Sequence, residues 1–255
     1  SLGSTQAASL WGYTDEASGR EFTLVAMSDG TVFVEITNAE NPVYLGKLPS
    51  HTGDALWREL KTYNNHVYIV SDSNVNHGVQ ILDLTLFRNY QTPPSTPVIF
   101  TETAHYGNVG SVHNIWINEE TGYAYAVGTA SGTTTCSRGV HIFNVQNPTA
   151  PTFSACYPAT NTTGYYTHDI DCMVYDGPDA DYQGHEICIA SDGKSSNAND
   201  SMAILDVTNK NAIVEVSRVA YANVGFIHQT DFTEDMNYIV LDDELDETSS
   251  GNNRR

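Results

Sequence analysis

Short runs of β-branched and other apolar residues, each closed by Asn, Asp or Gly, recur from one end of this chain to the other. The 3.6-residue apolar period of an amphipathic helix is absent. The pattern therefore predicts strands joined by tight turns. One run occurs four times: TVFVEIT at 31–37, GVQILDLT at 78–85, GVHIFNVQ at 139–146 and SMAILDVT at 201–208. Each carries a polar or acidic residue near its end. From Val32 to Val79, Val140 and Met202 the spacings are 47, 61 and 62 residues. Such spacing suits a unit of four strands better than a helical solenoid repeat.

Every copy of that strand follows another: EFTLVAMSDG, HVYIVSDSN, GYAYAVGTA and HEICIASDG, with MNYIVLDDE as a fifth. Each of these follows a further segment: LWGYTDEASGR, WRELKTYNN, VHNIWINEETG, YTHDIDCMVYDG and FIHQTDFTED. NAENPVYLGKLP, QNPTAPTFSACYP and NKNAIVEVSRVAY then read as a turn and an outer fourth strand. The expectation is an all-β chain, a β-propeller of four-stranded antiparallel blades. Residues 1–255 would form one domain of four nearly complete repeats and a partial fifth. The third strand of that fifth repeat never arrives. A ring must close, because an open sheet edge invites aggregation, so the domain is expected to be incomplete at its C-terminal end.

Charge narrows the partners. Asp and Glu number 31 against 11 Lys and Arg, for a net charge of −20. Such a surface repels a phosphate backbone and an anionic membrane, which argues against nucleic acid as a partner. No apolar run approaches the roughly 20 residues of a membrane span. Ser1 to Ser9 is small and polar, like a mature start. The four cysteines allow three pairings. Cys172 and Cys188 flank the turn-rich DGPDADYQG, which sets them opposite each other on paired strands. Cys136 and Cys156 flank GVHIFNV and its following turn. The spacing favours Cys136–Cys156 and Cys172–Cys188, against the alternative of four buried thiols. Disulfides imply an oxidising compartment, hence an extracellular or cell-surface location. The Asn-x-Thr and Asn-x-Ser triplets at Asn161 and Asn199 matter only in a glycosylating host.

Several of these segments resemble the bacterial choice-of-anchor B family of LVIVD-repeat propellers. The carriers are LWGYTDEASGREFTLV, NPVYLGKLP, WRELKTYNNHVYIVSD, HGVQILDLT, VHNIWINEETGYAYAVGT, THDIDCMVYDGPDADYQGHEIC and HQTDFTEDMNYIVLDDELDE. The resemblance implies an exported protein held at the surface by a variable C-terminal anchor. It implies no settled enzymatic activity.

Aligning the repeats puts Trp11, Arg58, His113, His168 and His228 at one position, the start of the first strand. In a propeller that strand lines the central channel, so equivalent positions converge on the axis. His113, His168 and His228 are the candidate metal ligands: three imidazoles leave open positions on zinc or another transition metal. Asn114, Asp169 and Gln229 follow them and would orient the rings or touch a ligand. Arg58 adds a positive charge that would attract an anion. Acidic stretches offer oxygen ligands for calcium: Asp176, Asp179, Asp181 and Glu186 in one, and Asp242, Asp243, Glu244, Asp246 and Glu247 in the other. Their plainer role is as solvated turns, and Asp29, Asp72, Asp192 and Asp242 recur as turn caps at the ends of second strands. His66 and His185 sit near turns. His51, His77, His105 and His141 lack a partner in the alignment and are expected at the surface or an edge. No G-x-S-x-G elbow, P-loop or dinucleotide fingerprint is present. The leading functional expectation is a secreted or surface binding or adhesion module for a protein or glycan. The alternative is a metal-dependent hydrolase or lyase, and zinc or calcium is the cofactor that reading allows.

Overall fold

The computed structural model describes residues 6–90, 93–129, 135–158, 165–193 and 200–245. The chain folds as two compact units. The first comprises Ser1–Asn114, Ser131–Thr133 and Val145–Thr152; the second comprises Ile115–Ala130, Thr134–Asn144 and Phe153–Arg255. The described residues are all-β apart from one 3-10 turn, in antiparallel sheets built mostly of four strands.

In the first unit, β1 (Ala7–Asp15), β2 (Arg20–Met27), β3 (Gly30–Glu35) and β4 (Val43–Pro49) form a meander. A second meander joins β5 (Arg58–Tyr63), β6 (His66–Ser71) and β7 (Val79–Asp83). Asn64 and Asn65, both with positive φ of 46° and 58°, make the two-residue turn that right-twisted hairpins prefer. The 3-10 helix Leu84–Asn89 follows, capped by the Asp83 side chain, which accepts from Thr85 N. Its Phe87 packs between Phe22, Phe33 and Phe100 at ring distances of 4.9, 5.0 and 5.3 Å. The short β8 (Val98–Ile99) adds to β4 in parallel, and β9 (Ala104–Tyr106) completes the second sheet. Only glycine fits at position 46, since a Cβ there would stand 2.1 Å from the Val98 carbonyl oxygen. The second repeat thus reaches its fourth strand through an excursion that the repeat pattern does not announce.

The third sheet is β10 (Asn114–Asn118), β11 (Tyr123–Val127), β12 (Val140–Asn144) and β13 (Thr152–Tyr157). All of it but the terminal residues Asn114 and Thr152 lies in the second unit. Next come β14 (Tyr166–Val174), β15 (Glu186–Gly193), β16 (Ser201–Asp206) and β17 (Val214–Val219), then the pair β18 (Ile227–Phe232) and β19 (Ile239–Asp243). Trp11 and Trp116 lie within first strands and Trp57 directly precedes one. Both expected disulfides are present. Cys172 and Cys188 are register partners across β14 and β15, and both are buried in the apolar core of the second unit. Buried between strands there, the Glu186 carboxylate takes up Asn118 Nδ2, Thr121 Oγ1, Tyr125 OH and Lys210 Nζ at 2.9, 2.8, 2.5 and 2.5 Å. Glu186 is therefore a structural hub of the second unit. Asn161, Asn199, Asp246 and Glu247 lie outside the described residues.

Candidate functional site

Strand register refines the repeat alignment. Arg58 pairs with Ser71, Asp169 with Ser191 and Gln229 with Asp242. The register shifts between Thr167 and Asp169 and between Ile227 and Gln229 leave His168 and His228 as the extra residues of β-bulges. Bulges re-aim a side chain relative to its strand. Arg58, opposite Ser71, thus corresponds to Asp169, opposite Ser191, the residue after His168. Trp11 pairs with Leu24, deep in its sheet, where its indole donates to Thr62 Oγ1 at 3.1 Å.

Arg58 and His113 belong to the first unit. Arg58 is only 2% exposed. It donates to the Ser28 and Gly53 carbonyls at 3.3 Å each and to the Ser50 hydroxyl, and its Nη1 lies 3.1 Å from His77 Nε2. Burial pulls Arg58 down to about 10 and His77 down to about 4, so His77 is neutral and accepts from the guanidinium. His113 sits just before β10, its Nδ1 3.0 Å from Asp72 Oδ2. Ser111 Oγ donates to the other oxygen of Asp72 at 3.0 Å.

The first unit also gathers histidines that the alignment left scattered. His51 stacks on His105 at 3.9 Å and 8°, and lies 6.3 Å from the His77 ring. Glu102 holds His51 at 3.0 Å, and His105 Nε2 donates to the His77 carbonyl at 2.7 Å. The surface placement expected for His77 and His141 is corrected: both are fully buried. His51 follows β4, His77 precedes β7 and His105 sits on β9. Connections gather them, so strand equivalence carried no signal of the cluster.

In the second unit, His168 and His228 meet. Their rings are 4.4 Å apart, and His168 Nδ1 donates to the His228 carbonyl at 2.9 Å. Phe226 meets His168 edge-on at 5.2 Å, and Asp242 Oδ2 lies 3.2 Å from His228 Nδ1. Asp169 Oδ1 accepts from Ile170 N at 2.8 Å. Gln229 is exposed and Asn114 half-buried. Among the described residues, no group of three or more His, Cys, Asp and Glu side chains is placed to hold a metal ion.

Behind the histidines runs a seam where β14 and β15 pack against β18. Ser191 and Thr230 share a hydrogen bond of 3.1 Å. Further along, Asp171 is pushed up to about 8, first by burial and then by the Asp231 carboxyl beside it and the charge of Asp169, so a proton is favoured on this pair. HDID at 168–171 and HQTD at 228–231 repeat the same His-x-x-Asp spacing. That signal in the sequence could have found the pair.

The far end of the seam opens into a cleft of about 390 Å³. Tyr175, Tyr182, Phe232, Met236 and Tyr238 line it with Ile187, Ile204, Val216 and Ile239, and Asp179 and Asn237 supply polar groups. The β18–β19 turn is braced: Asp235 Oδ1 accepts from Thr233 Oγ1 at 2.7 Å and from Asn237 N at 3.1 Å. This turn presents Tyr238 at 73% exposure. Of the acidic-stretch residues, Asp179 Oδ1 caps Asp181 N, and Asp243 accepts from the Gly225 and Phe226 amides, as turn caps do.

No protein-family model matches the chain, and no curated protein matches it. Solved structures do. Hydrazine synthase of Kuenenia stuttgartiensis matches at 13% identity and a TM-score of 0.56, over 86% of this chain and 51% of that one. A functionally unknown protein of Desulfotomaculum acetoxidans matches at 11% identity and 0.58, over 94% and 63%. A protein of Lactobacillus plantarum matches at 14% identity and 0.51, over 92% and 59%. The chain thus spans between about half and two thirds of the length of these structures. At such identities the likeness concerns fold alone, and the fold is all-β and propeller-like.

Proposed function

We infer that the protein is an extracellular binding module, and that its ligand is a glycan seated in the aromatic cleft of the second unit. The carrying observation is the lining of that cleft: Tyr175, Tyr182, Phe232 and Tyr238 beside Asp179 and Asn237. Its size suits a small ligand or a short stretch of polymer. Ring faces pack against the apolar C–H faces of sugars, while the carboxylate and amide take up hydroxyl groups. The two disulfides fit an oxidising compartment. Among the described residues no helix is long and apolar enough to cross a membrane. The choice-of-anchor B resemblance supports the same placement.

A printed glycan array probed with wild-type protein and Tyr238→Ala tests this. Binding by the wild type and its loss in the variant support the reading; no binding to any glycan refutes it. The paired rings of His168 and His228 favour a second reading, the metal-dependent hydrolase or lyase. Stoichiometric zinc in native protein, removed by His168→Ala, would replace the first reading with the second.

A further inference from the structure

We propose that the ligand of the aromatic cleft is a cationic glycan, a chain of hexosamines whose amino groups are free and carry ammonium charge; the inference rests on the glycan reading above. The charge around the cleft is of one sign. Asp179 lines it, Asp176 and Asp181 are exposed on the same loop, and the β18–β19 turn exposes Glu234 and Asp235. Among the described residues that line the cleft, none is Lys, Arg or His. Lys210 and Arg218 of the same unit are bound to carboxylates, Glu186 for the one and Asp192 and Glu215 for the other. A uronic or sulfated sugar would meet like charge with no cation in the lining to offset it, whereas an ammonium meets its complement.

The rings favour the same sign. The face of an aromatic ring is negative, and a cation set over it is attracted. Tyr175, Tyr182, Phe232 and Tyr238 bring four such rings to the cleft. The loop between β14 and β15 holds two of them together with the carboxylate. Gly177 lies against the Tyr175 ring, so closely that a Cβ there would stand 2.5 Å from it. Tyr175 OH accepts from Asp179 N at 3.2 Å, and the Asp179 carbonyl accepts from Tyr182 N at 3.2 Å. Gly184 N and His185 N donate to the Tyr175 and Tyr182 carbonyls at 2.8 and 3.0 Å. Tyr175, Asp179 and Tyr182 are thus set in place before a ligand arrives, which lowers the ordering cost of binding. Asp179 Oδ1 accepts from Asp181 N, and the carboxylate retains lone pairs for an ammonium. A hexosamine uses both features: its C–H face packs on a ring and its ammonium answers the carboxylate.

The test is calorimetric titration of tetra-glucosamine and of its fully N-acetylated counterpart at about pH 6, where amines stay protonated. Wild type, Asp179→Asn and Tyr238→Ala would be compared. Asparagine retains the oxygen that caps Asp181 N and loses the charge alone. A cation–π contact and an exposed ion pair together are worth about tenfold, so wild type should bind tetra-glucosamine about tenfold more tightly than the acetylated chain. Asp179→Asn should keep its affinity for the acetylated chain and show a preference of about threefold or less. Tyr238→Ala should weaken the binding of both. Equal or tighter binding of the acetylated chain by wild type, a preference undiminished in Asp179→Asn, or no binding of tetra-glucosamine would overturn the proposal. If the acetylated chain binds without preference and Tyr238→Ala loses it, the charge inference falls and the glycan reading stands; binding of neither chain, with a blank glycan array, removes both.

Discussion

His168 Nδ1 donates to the backbone carbonyl of His228 at 2.9 Å, tying together the bulges of two consecutive first strands. A carbonyl accepts only, so this contact fixes the proton of neutral His168 on Nδ1 and leaves Nε2 as an acceptor. Long-range ¹H–¹⁵N spectra at pH 8 should show His168 as the Nδ1–H tautomer. An Nε2–H pattern would show that the bond is not formed.

Two buried histidines set an acid limit on stability. Burial holds His77 and His141 down at about 4. Arg58, His51 and His105 add like charge around His77. Both side chains are neutral in the fold and protonate in the unfolded chain near pH 6.5. The unfolded state therefore binds more protons between about pH 4 and 6.5, and stability rises with pH across that window. Their contribution is fully present above about pH 6.5 and lost toward pH 4, on the order of 3 kcal/mol at most for each. Urea titrations from pH 4 to 7 should show this slope, and His141→Gln should flatten part of it. An unchanged slope in the variant would contradict the assignment.

Glu186 and Lys210 form a buried ion pair at 2.5 Å, with side-chain exposures of 5% and 8%. Glu186→Gln leaves the ammonium without its counter-charge and should cost about 3–5 kcal/mol in urea unfolding. Adding Lys210→Met should recover part of that loss, since it removes the uncompensated charge. A cost below about 1 kcal/mol for the single variant would mean that the network is not the tie it resembles.

Cys172 and Cys188 are 16 residues apart. Cross-linking a loop of that size constrains the unfolded chain by about 3 kcal/mol. The Cys172→Ala/Cys188→Ala double variant should lose about that much, and non-reducing peptide maps of native protein should show both pairs. Recovery of free thiols from unreduced protein would contradict the pairing.

Most of the strand order was legible because each repeat spells out its strands with apolar runs and Asn, Asp or Gly turns. The convergence of His168 and His228 followed from that repetition. The bulges did not, because a one-residue register shift leaves no mark in an apolar pattern; this set Arg58 level with Asp169 instead of His168. Arg58 was legible as a charge but not as a buried one, since its partners Ser50, Gly53 and His77 come from connections. The cleft was illegible for a similar reason: Tyr182 and Tyr238 lie in turns, which strand periodicity does not place.

The binding account is tested most directly by calorimetry with the strongest glycan from the array. Wild type, Tyr238→Ala, Tyr182→Ala and His51→Ala would be titrated under identical conditions, His51 not being among the residues that line the cleft. The account predicts saturable binding by wild type and His51→Ala, and at least tenfold weaker binding, about 1.4 kcal/mol, by both tyrosine variants. Equal affinity of Tyr238→Ala and Tyr182→Ala with wild type would contradict it.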